Sequence, residues 1–250
     1  MKKIVLSLIA IIATAPLLHA QDDNKMISLP NQQNEIKLNV LALALKNITV
    51  QYEREISKKV TIGLTARVMP QSGLVFESSY KDVLINDPNT AKQLNDFKTG
   101  NFAFMPEVRF YPGHKGAYHG FYIAPFLSYA HYTGDLPYKY DDNGTEKTIP
   151  LLGSMNALTG GLMFGAQWNL AKAVYLDWWV LGPNYGSSNG SISGKKSLSS
   201  SEQDILKYEL DNLDIPLTKT TNTVDANGAT VTFSGPWAGV RSGLCIGFRF

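Results

Sequence analysis

The chain has 250 residues, of which 44% are hydrophobic, and a formal net charge of +2. This length is enough for one sizeable domain, and the 21 glycines, 12 tyrosines and 11 phenylalanines favour strands and turns. The charges are scattered singly and form no basic run, which argues against nucleic acid as a partner.

The N-terminus has the pattern of a secretory signal. Lys2 and Lys3 precede an apolar run over residues 4 to 13, and a small residue, Ala20, stands before an acidic stretch. We predict a cleavable signal peptide over residues 1–20 and a flexible periplasmic leader over 21–34. An uncleaved anchor helix is the alternative, but the run is short for a membrane span and is broken by Pro16.

The last stretch of the chain alternates strictly between two kinds of residue. From Ala238 to Phe250 every second residue except Ser242 is apolar, and the intervening positions hold glycine, arginine and Cys245. This period indicates a strand with two different faces. In an outer-membrane barrel the apolar face of such a strand meets lipid and the other face meets the lumen.

The same alternation recurs along the chain and predicts an all-β fold with eight antiparallel strands. One short helix is expected in the last long loop, where Leu206, Leu210 and Leu213 recur at helical spacing and can pack over the barrel mouth or meet a partner. Long loops are predicted over 70–100, 133–150 and 184–236. The predicted strands cover residues 35–45, 48–53, 60–68, 101–111, 121–132, 158–168, 174–180 and 238–250.

The lengths of the connections give the predicted barrel its orientation. Connections after the second, fourth and sixth strands are short, and those after the third, fifth and seventh are long. Short turns on one side and long loops on the other are typical of an outer-membrane β-barrel with both termini in the periplasm. We therefore predict a transmembrane β-barrel over residues 35–250 with long extracellular loops, although the first outer connection is short.

The charged residues within the strands share the mixed face. A soluble ligand-carrying barrel has the opposite arrangement, with its apolar face inside. Because eight strands leave room only for side chains, these charges should neutralise one another in a plugged lumen, with Lys37 reaching Glu53 and Arg249 reaching Glu35. The predicted lumen charges are Lys37, Glu53, Arg67, Glu107, Arg109, Asp177, Arg241 and Arg249.

Aromatic residues should gather where lipid meets water. Five of them fall at strand ends that the topology assigns to the periplasmic side. These predicted girdle residues are Phe110, Phe121, Trp168, Phe248 and Phe250.

Two prolines lie within predicted transmembrane strands. Pro106 and Pro125 should be directly opposed, and because proline cannot donate to a ladder, pairing should weaken at their level. A lateral gate for lipid and a tolerated bulge are both open interpretations.

The sequence contains no clear set of catalytic residues or metal ligands. Ser128 and His131 have opposite face parity, so a catalytic dyad there would need a bulge. No residues repeat at the spacing of metal ligands, and we predict no catalytic residue, no metal and no cofactor.

The chain resembles the small outer-membrane barrels of the OmpA and OmpX type, and more closely an uncharacterised family of such barrels from Bacteroidota. The resemblance rests on the segments NEIKLNVLALALKNITVQYERE, VTIGLTARVMP, FMPEVRFYPG and GLCIGFRF and covers most of residues 34 to 250. It implies the fold and a location in the bacterial outer membrane. It brings no known activity and no catalytic residue.

The expected role is structural or recognition-related. Outer-membrane lipid is the expected surrounding, and surface polysaccharide or protein could meet the loops, since loops on a rigid barrel commonly carry recognition. The alternative is a lipid-modifying enzyme with lateral access near the two prolines.

Overall fold

A computed structural model describes residues 32–73, 96–142, 145–212 and 217–250. The predicted signal peptide, most of the predicted leader and most of the predicted loop 70–100 lie outside these residues.

The strands close into a ring, which confirms the predicted eight-stranded antiparallel barrel. Consecutive strands pair antiparallel, and the first strand also pairs with the last, Ile36 opposite Phe248, so the ring has no free edge. A ninth strand, which the sequence did not predict, pairs with an extension of the last one and with no other strand of the described residues. The strands are β1 Asn34–Asn39, β2 Ile48–Ser57, β3 Val60–Gly73, β4 Lys98–Phe110, β5 Gly120–Asp142, β6 Thr145–Ala171, β7 Val174–Lys195, β8 Lys219–Asp225 and β9 Gly228–Arg249.

The first predicted strand was too long. β1 ends at Asn39, and Val40–Ala44 forms a short helix, α1. The Asn39 side chain accepts a hydrogen bond from the Ala42 amide at 3.0 Å, which caps the helix. Leucine and alanine favour a helix once no neighbouring strand pairs with them.

Four strands extend far beyond the roughly 9 to 11 residues that cross a bilayer. β5 has 23 residues, β6 has 27, and β7 and β9 have 22 each. The predicted loop 133–150 is therefore mostly a continuous ladder that reaches Asp142 opposite Thr145. The predicted loop 184–236 contains the ends of β7 and β9 and all of β8. These extensions are rich in polar residues and glycine and hold only scattered apolar residues such as Leu152 and Ile192, so they give no continuous hydrophobic alternation to detect.

The predicted loop helix is confirmed as α2, Ser200–Asp211, which packs against β8. Ser199 and Glu202 form a capping box at its start, and each side chain bonds the other's backbone amide. The exposed Glu202 carboxylate also lies 3.0 Å from the Lys196 ammonium. Hydrogen bonding from the Ser199 amide, followed by Lys196, lowers the pKa of Glu202 to about 2. Within the described residues, no helix has both the length and the apolar character that a membrane span requires.

The two faces of the barrel wall are reversed relative to a soluble barrel. In β1 the polar Glu35 and Lys37 are fully buried, whereas Ile36 is 48% exposed. The same alternation holds in β2, where Glu53 is buried and Tyr52 is exposed. The interior is therefore polar and the exterior is apolar.

The barrel lumen as candidate functional site

Asp177 of β7 is the hub of the lower lumen, the half nearest the short turns. Its carboxylate accepts hydrogen bonds from Arg109 at 2.6 Å, from Lys37 at 2.7 Å and from the Tyr122 hydroxyl at 2.8 Å. The Trp179 indole donates a fourth at 3.0 Å. All five side chains are buried, so the carboxylate meets donors in place of water.

Glu53 of β2 holds the same two cations from the opposite wall. It forms an ion pair with Lys37, lies 3.1 Å from Arg109 Nη1, and accepts from the Tyr111 hydroxyl at 3.0 Å. Thr61 also donates to it. The structure thus places Lys37 against Glu53, as the approximate hairpin register suggested.

A third carboxylate extends the network upward. Glu107 accepts from Arg109 Nε at 2.5 Å and also pairs with Arg241. Arg241 donates to Thr65 at 2.8 Å, and its guanidinium lies 4.1 Å from the Trp179 ring centroid. We call this group the lower-lumen network. Its charged members are Lys37, Arg109 and Arg241 together with Glu35, Glu53, Glu107 and Asp177.

The predicted pairing of Arg249 with Glu35 is wrong, although the two residues are register partners across the closing seam. Arg249 bonds Glu55 at 2.9 Å and the Gln32 carbonyl oxygen at 2.6 Å. The Glu35 carboxylate instead accepts from Gln167 at 2.7 Å. The reason is that Glu35 turns inward to the network, whereas the longer Arg249 reaches the rim.

Arg67 does not join the network. Its register partners are Thr49 and Ala103, toward the long-loop end of the barrel. It donates one long hydrogen bond, 3.4 Å, to the Tyr132 hydroxyl and makes no ion pair with a described residue. Its buried Nε has no hydrogen-bond partner there either.

A cavity of about 250 Å³ occupies the upper lumen, above the network. Arg241 and Trp179 form part of its boundary with the network, and Arg67 lies in its wall. Helix α1 contributes Leu41 and Ala42. The lumen is therefore filled below and open above.

Glycines let large side chains cross the narrow lumen. A Cβ at Gly165 would lie 2.3 Å from the Tyr122 ring and 2.8 Å from the Trp178 carbonyl oxygen. A Cβ at Gly247 would lie 2.0 Å from a Glu35 carboxylate oxygen. Both positions exclude any larger residue without a shift in the network.

The five predicted girdle residues all lie on the outer face, between 41% and 53% exposed. They stand at the short-turn ends of β4, β5, β6 and β9 and at the C-terminus. The residues are Phe110, Phe121, Trp168, Phe248 and Phe250.

The predicted direct opposition of Pro106 and Pro125 is wrong. The register that pairs Phe104 with Tyr129 and Glu107 with Phe126 sets the two prolines two residues apart. The turn is asymmetric because Tyr118 folds in under the barrel and is fully buried. Both prolines nevertheless border an interruption: between Phe104 and Phe110, within the described span 96–142, Glu107 is the one β4 residue that pairs with β5.

The structure does not bring Ser128 and His131 together. Ser128 lines the upper cavity, whereas the His131 ring contacts Asn156 at 2.8 Å and stacks at 5.2 Å on Phe102. Among the residues that the structure describes, no group of three histidine, cysteine or acidic side chains is arranged to hold a metal ion.

Sequence reasoning missed the neutral members of the network. Gln51 donates to Thr65 and accepts from Arg109 at 2.7 Å, and Gln167 links Glu35 with Tyr111. Their lumen-face parity is evident in the sequence, but they carry no charge that would mark them as members of a charge network.

Three comparisons with known proteins give two matches. A family model described as "Protein of unknown function (DUF3575)" matches residues 7–186. The N-terminal β-barrel domain of Pseudomonas aeruginosa OprF is similar over 88% of this chain and 98% of that chain, at 8% identity and a TM-score of 0.26. A search of curated proteins finds no match. At that identity and score, nothing about function follows from the OprF domain.

Proposed function

Because the chain belongs to the DUF3575 family of proteins of unknown function, we propose a role from its own barrel. The protein is an outer-membrane β-barrel with a closed lumen that acts as a structural and recognition element of the cell surface. Its tall outer wall and outer connections carry the recognition.

The reversed wall is the observation that carries this proposal. The closed ring satisfies the backbone hydrogen bonds of its strands, which a lipid environment requires. Its outer face presents aliphatic and aromatic side chains, for example Leu64 and Phe104 at 50% exposure each. In water such a surface would aggregate, whereas in a bilayer it is matched to its surroundings.

The filled lower lumen supports a structural role over a pore. The network side chains are buried and meet across the whole width of the barrel, where Arg241 of β9 pairs with Glu107 of β4 on the opposite wall. Eight-stranded barrels leave an interior that side chains can fill. In planar bilayers the purified protein should therefore give no stable conductance steps, and a steady ohmic channel would contradict the closed lumen.

Labelling of whole cells tests location and orientation together. Cys245 is fully buried, so an introduced cysteine is the reactive one among the described residues. A membrane-impermeant maleimide should label Asn227→Cys, in the β8–β9 turn, and should leave Lys58→Cys, in the β2–β3 turn, unlabelled until the cells are opened. Equal labelling of both, or recovery of the protein in the soluble periplasmic fraction, would overturn the proposal.

The interrupted pairing between β4 and β5 favours a second candidate function, a lipid-modifying enzyme with lateral access near Pro106 and Pro125. Prolines do not by themselves interrupt a ladder in this barrel, since Pro137 and Pro150 face each other in the continuous β5–β6 pairing. Those two prolines provide the matched control.

Mass spectrometry of outer-membrane lipids distinguishes the two candidates. If lipid chemistry occurs, a defined acyl or head-group change should depend on the gene and be lost in Pro106→Val/Pro125→Val. It should persist in Pro137→Val/Pro150→Val. An unchanged lipid profile with and without the gene would remove the enzyme.

A further inference from the structure

The upper cavity differs from the rest of the lumen in its charge. Arg67 and Arg241 line it, and among the residues that the structure describes no aspartate or glutamate does. We propose that this cavity is a binding site for a small carboxylate-bearing ligand about the size of one sugar ring.

The main evidence for such a ligand is Arg67, which has no carboxylate partner among the described residues. In the lower-lumen network each cation meets at least one carboxylate. Arg67 has a single 3.4 Å hydrogen bond to a neutral hydroxyl among the described residues. The buried Nε atom of this guanidinium has no partner among the described residues, which is unfavourable, so a bound anion would stabilise the group.

Hydrogen-bonding atoms without a partner also occur on residues of the cavity wall. The buried Nε atoms of Arg67 and Arg241 and the Oδ1 atom of Asn47 have no partner within the described part of the chain. All three residues line the cavity. The guanidinium of Arg67, which is only partly buried, suits carboxylate oxygens because its planar geometry matches theirs.

The walls fit a compact body with both apolar and polar faces. The Tyr132 and Trp237 rings lie beside each other, with their centroids 5.6 Å apart, and both line the cavity. Asn39 and Asn184 add amides on other parts of the wall. Aromatic faces with a few placed amides are the usual lining of small-molecule sites.

The volume limits the size of the ligand. About 250 Å³ is below the range of roughly 300 to 1,000 Å³ that is typical of ligand pockets. A single ring with one carboxylate fits this space, whereas a phospholipid or an oligosaccharide does not. This site goes beyond the proposed function, and depends on it only for the side of the membrane from which a ligand arrives.

The test is calorimetric titration of the full-length, detergent-solubilised protein with glucuronate, glucose and acetate. Glucuronate carries both the ring and the carboxylate, and the other two probes carry one feature each. We expect glucuronate to bind and the other two to bind at least tenfold more weakly. Equal binding of glucose would overturn the role of the carboxylate, and equal binding of acetate would overturn the role of the ring.

Variants locate the binding in the cavity. Arg67→Gln should weaken glucuronate binding at least tenfold, whereas Arg54→Gln, on the exposed face of β2, should leave it unchanged. If Arg67→Gln does not fold in a thermal melt, Ser128→Leu narrows the cavity with no change of charge and should also weaken binding. Unchanged binding in a folded Arg67→Gln or Ser128→Leu protein, or no heat from glucuronate at millimolar concentration, would overturn the proposal.

The conductance and labelling experiments decide the proposed function without reference to this cavity. Calorimetry on purified protein is equally independent of cellular location. A failure of one proposal is therefore distinguishable from a failure of the other.

Discussion

Arginine side chains in the lower and upper halves of the lumen differ in whether they pair with carboxylates. In the lower half, Arg109 is fully buried and contacts three carboxylates, those of Glu53, Glu107 and Asp177. In the upper half, Arg67 faces a cavity and has one weak hydrogen bond to Tyr132.

In the lower half the charges stabilise the fold by pairing with one another. In the upper half the Arg67 charge remains available to a ligand. Removing one partner of a buried ion pair is strongly destabilising, because the other charge remains without compensation. Replacing a cation that has no carboxylate partner should change the free energy of unfolding little. Stability and ligand binding should therefore respond to mutation in different halves of the barrel.

The largest effect is expected from Glu53→Ala. This change removes the buried carboxylate that pairs with both Lys37 and Arg109 and accepts from Thr61, and we expect a loss of about 3–5 kcal/mol in the free energy of unfolding. Glu55→Ala is the matched control, because Glu55 faces the same lumen at its partly exposed rim and pairs with Arg249. It should cost no more than about 1 kcal/mol. Thermal unfolding in detergent measures both, and equal losses would remove the special status of the network.

A smaller loss is expected from crowding the lower lumen. Gly165→Ala places a methyl group against Tyr122, and such overpacking costs about 1–3 kcal/mol. Gly160→Ala is the control, since its Cβ would lie 3.6 Å from the nearest atom, on Leu127. The same melting experiment compares the two, and a Gly165→Ala barrel as stable as the parent would show that Tyr122 can move.

The upper lumen should tolerate loss of its arginine. Arg67→Gln removes a charge that has no described carboxylate partner, so the free energy of unfolding should change by no more than about 0.5 kcal/mol. Arg109→Gln is the comparison in the lower half, and it should lower the free energy of unfolding several times as much. A large loss for Arg67→Gln would mean that the two halves are alike.

The smallest effect lies outside the barrel, at α2. The pKa of Glu202 is lowered from 4.5 to about 2, so its contribution to the capping box is fully present above pH 4.5 and is lost as the pH falls through about 2. The side-chain resonance of Glu202 should titrate near that lower value in a pH series by nuclear magnetic resonance. Lys196→Met should raise the midpoint toward 4.5, and an unshifted midpoint in the parent protein would contradict the observed cap.

Much of the fold was predictable because a lipid environment requires a simple alternation of apolar and polar residues in each strand. Each membrane-crossing strand must place apolar residues outside, so the alternation in segments such as 238–250 reveals both the strand and its lumen face. The same requirement does not apply to the outer extensions. KTTNTVD, which forms β8, has no apolar face, and its pairing with β9 is decided by the hairpin.

The candidate site was predictable only in part, for a geometric reason. Parity identifies which side chains enter the lumen, and Lys37 and Glu53 lie close enough along one hairpin for their contact to be inferred. Contacts across the barrel, such as Lys37 with Asp177, depend on the register of all the intervening strands. The wrong expectation for Pro106 comes from register, since one asymmetric turn changes the register of a whole strand pair. The wrong expectation for Arg249 has another cause, because Arg249 and Glu35 are register partners whose side chains reach different partners.

The sequence by itself determined the all-β class, the number of barrel strands and the two faces of the wall, because these follow from local alternation and the lengths of the connections. The tertiary structure decided which charges meet, where the ladder is interrupted and where the lumen remains empty. These features depend on strand register and on how large side chains fill a ring of fixed diameter, and neither is encoded within any single segment.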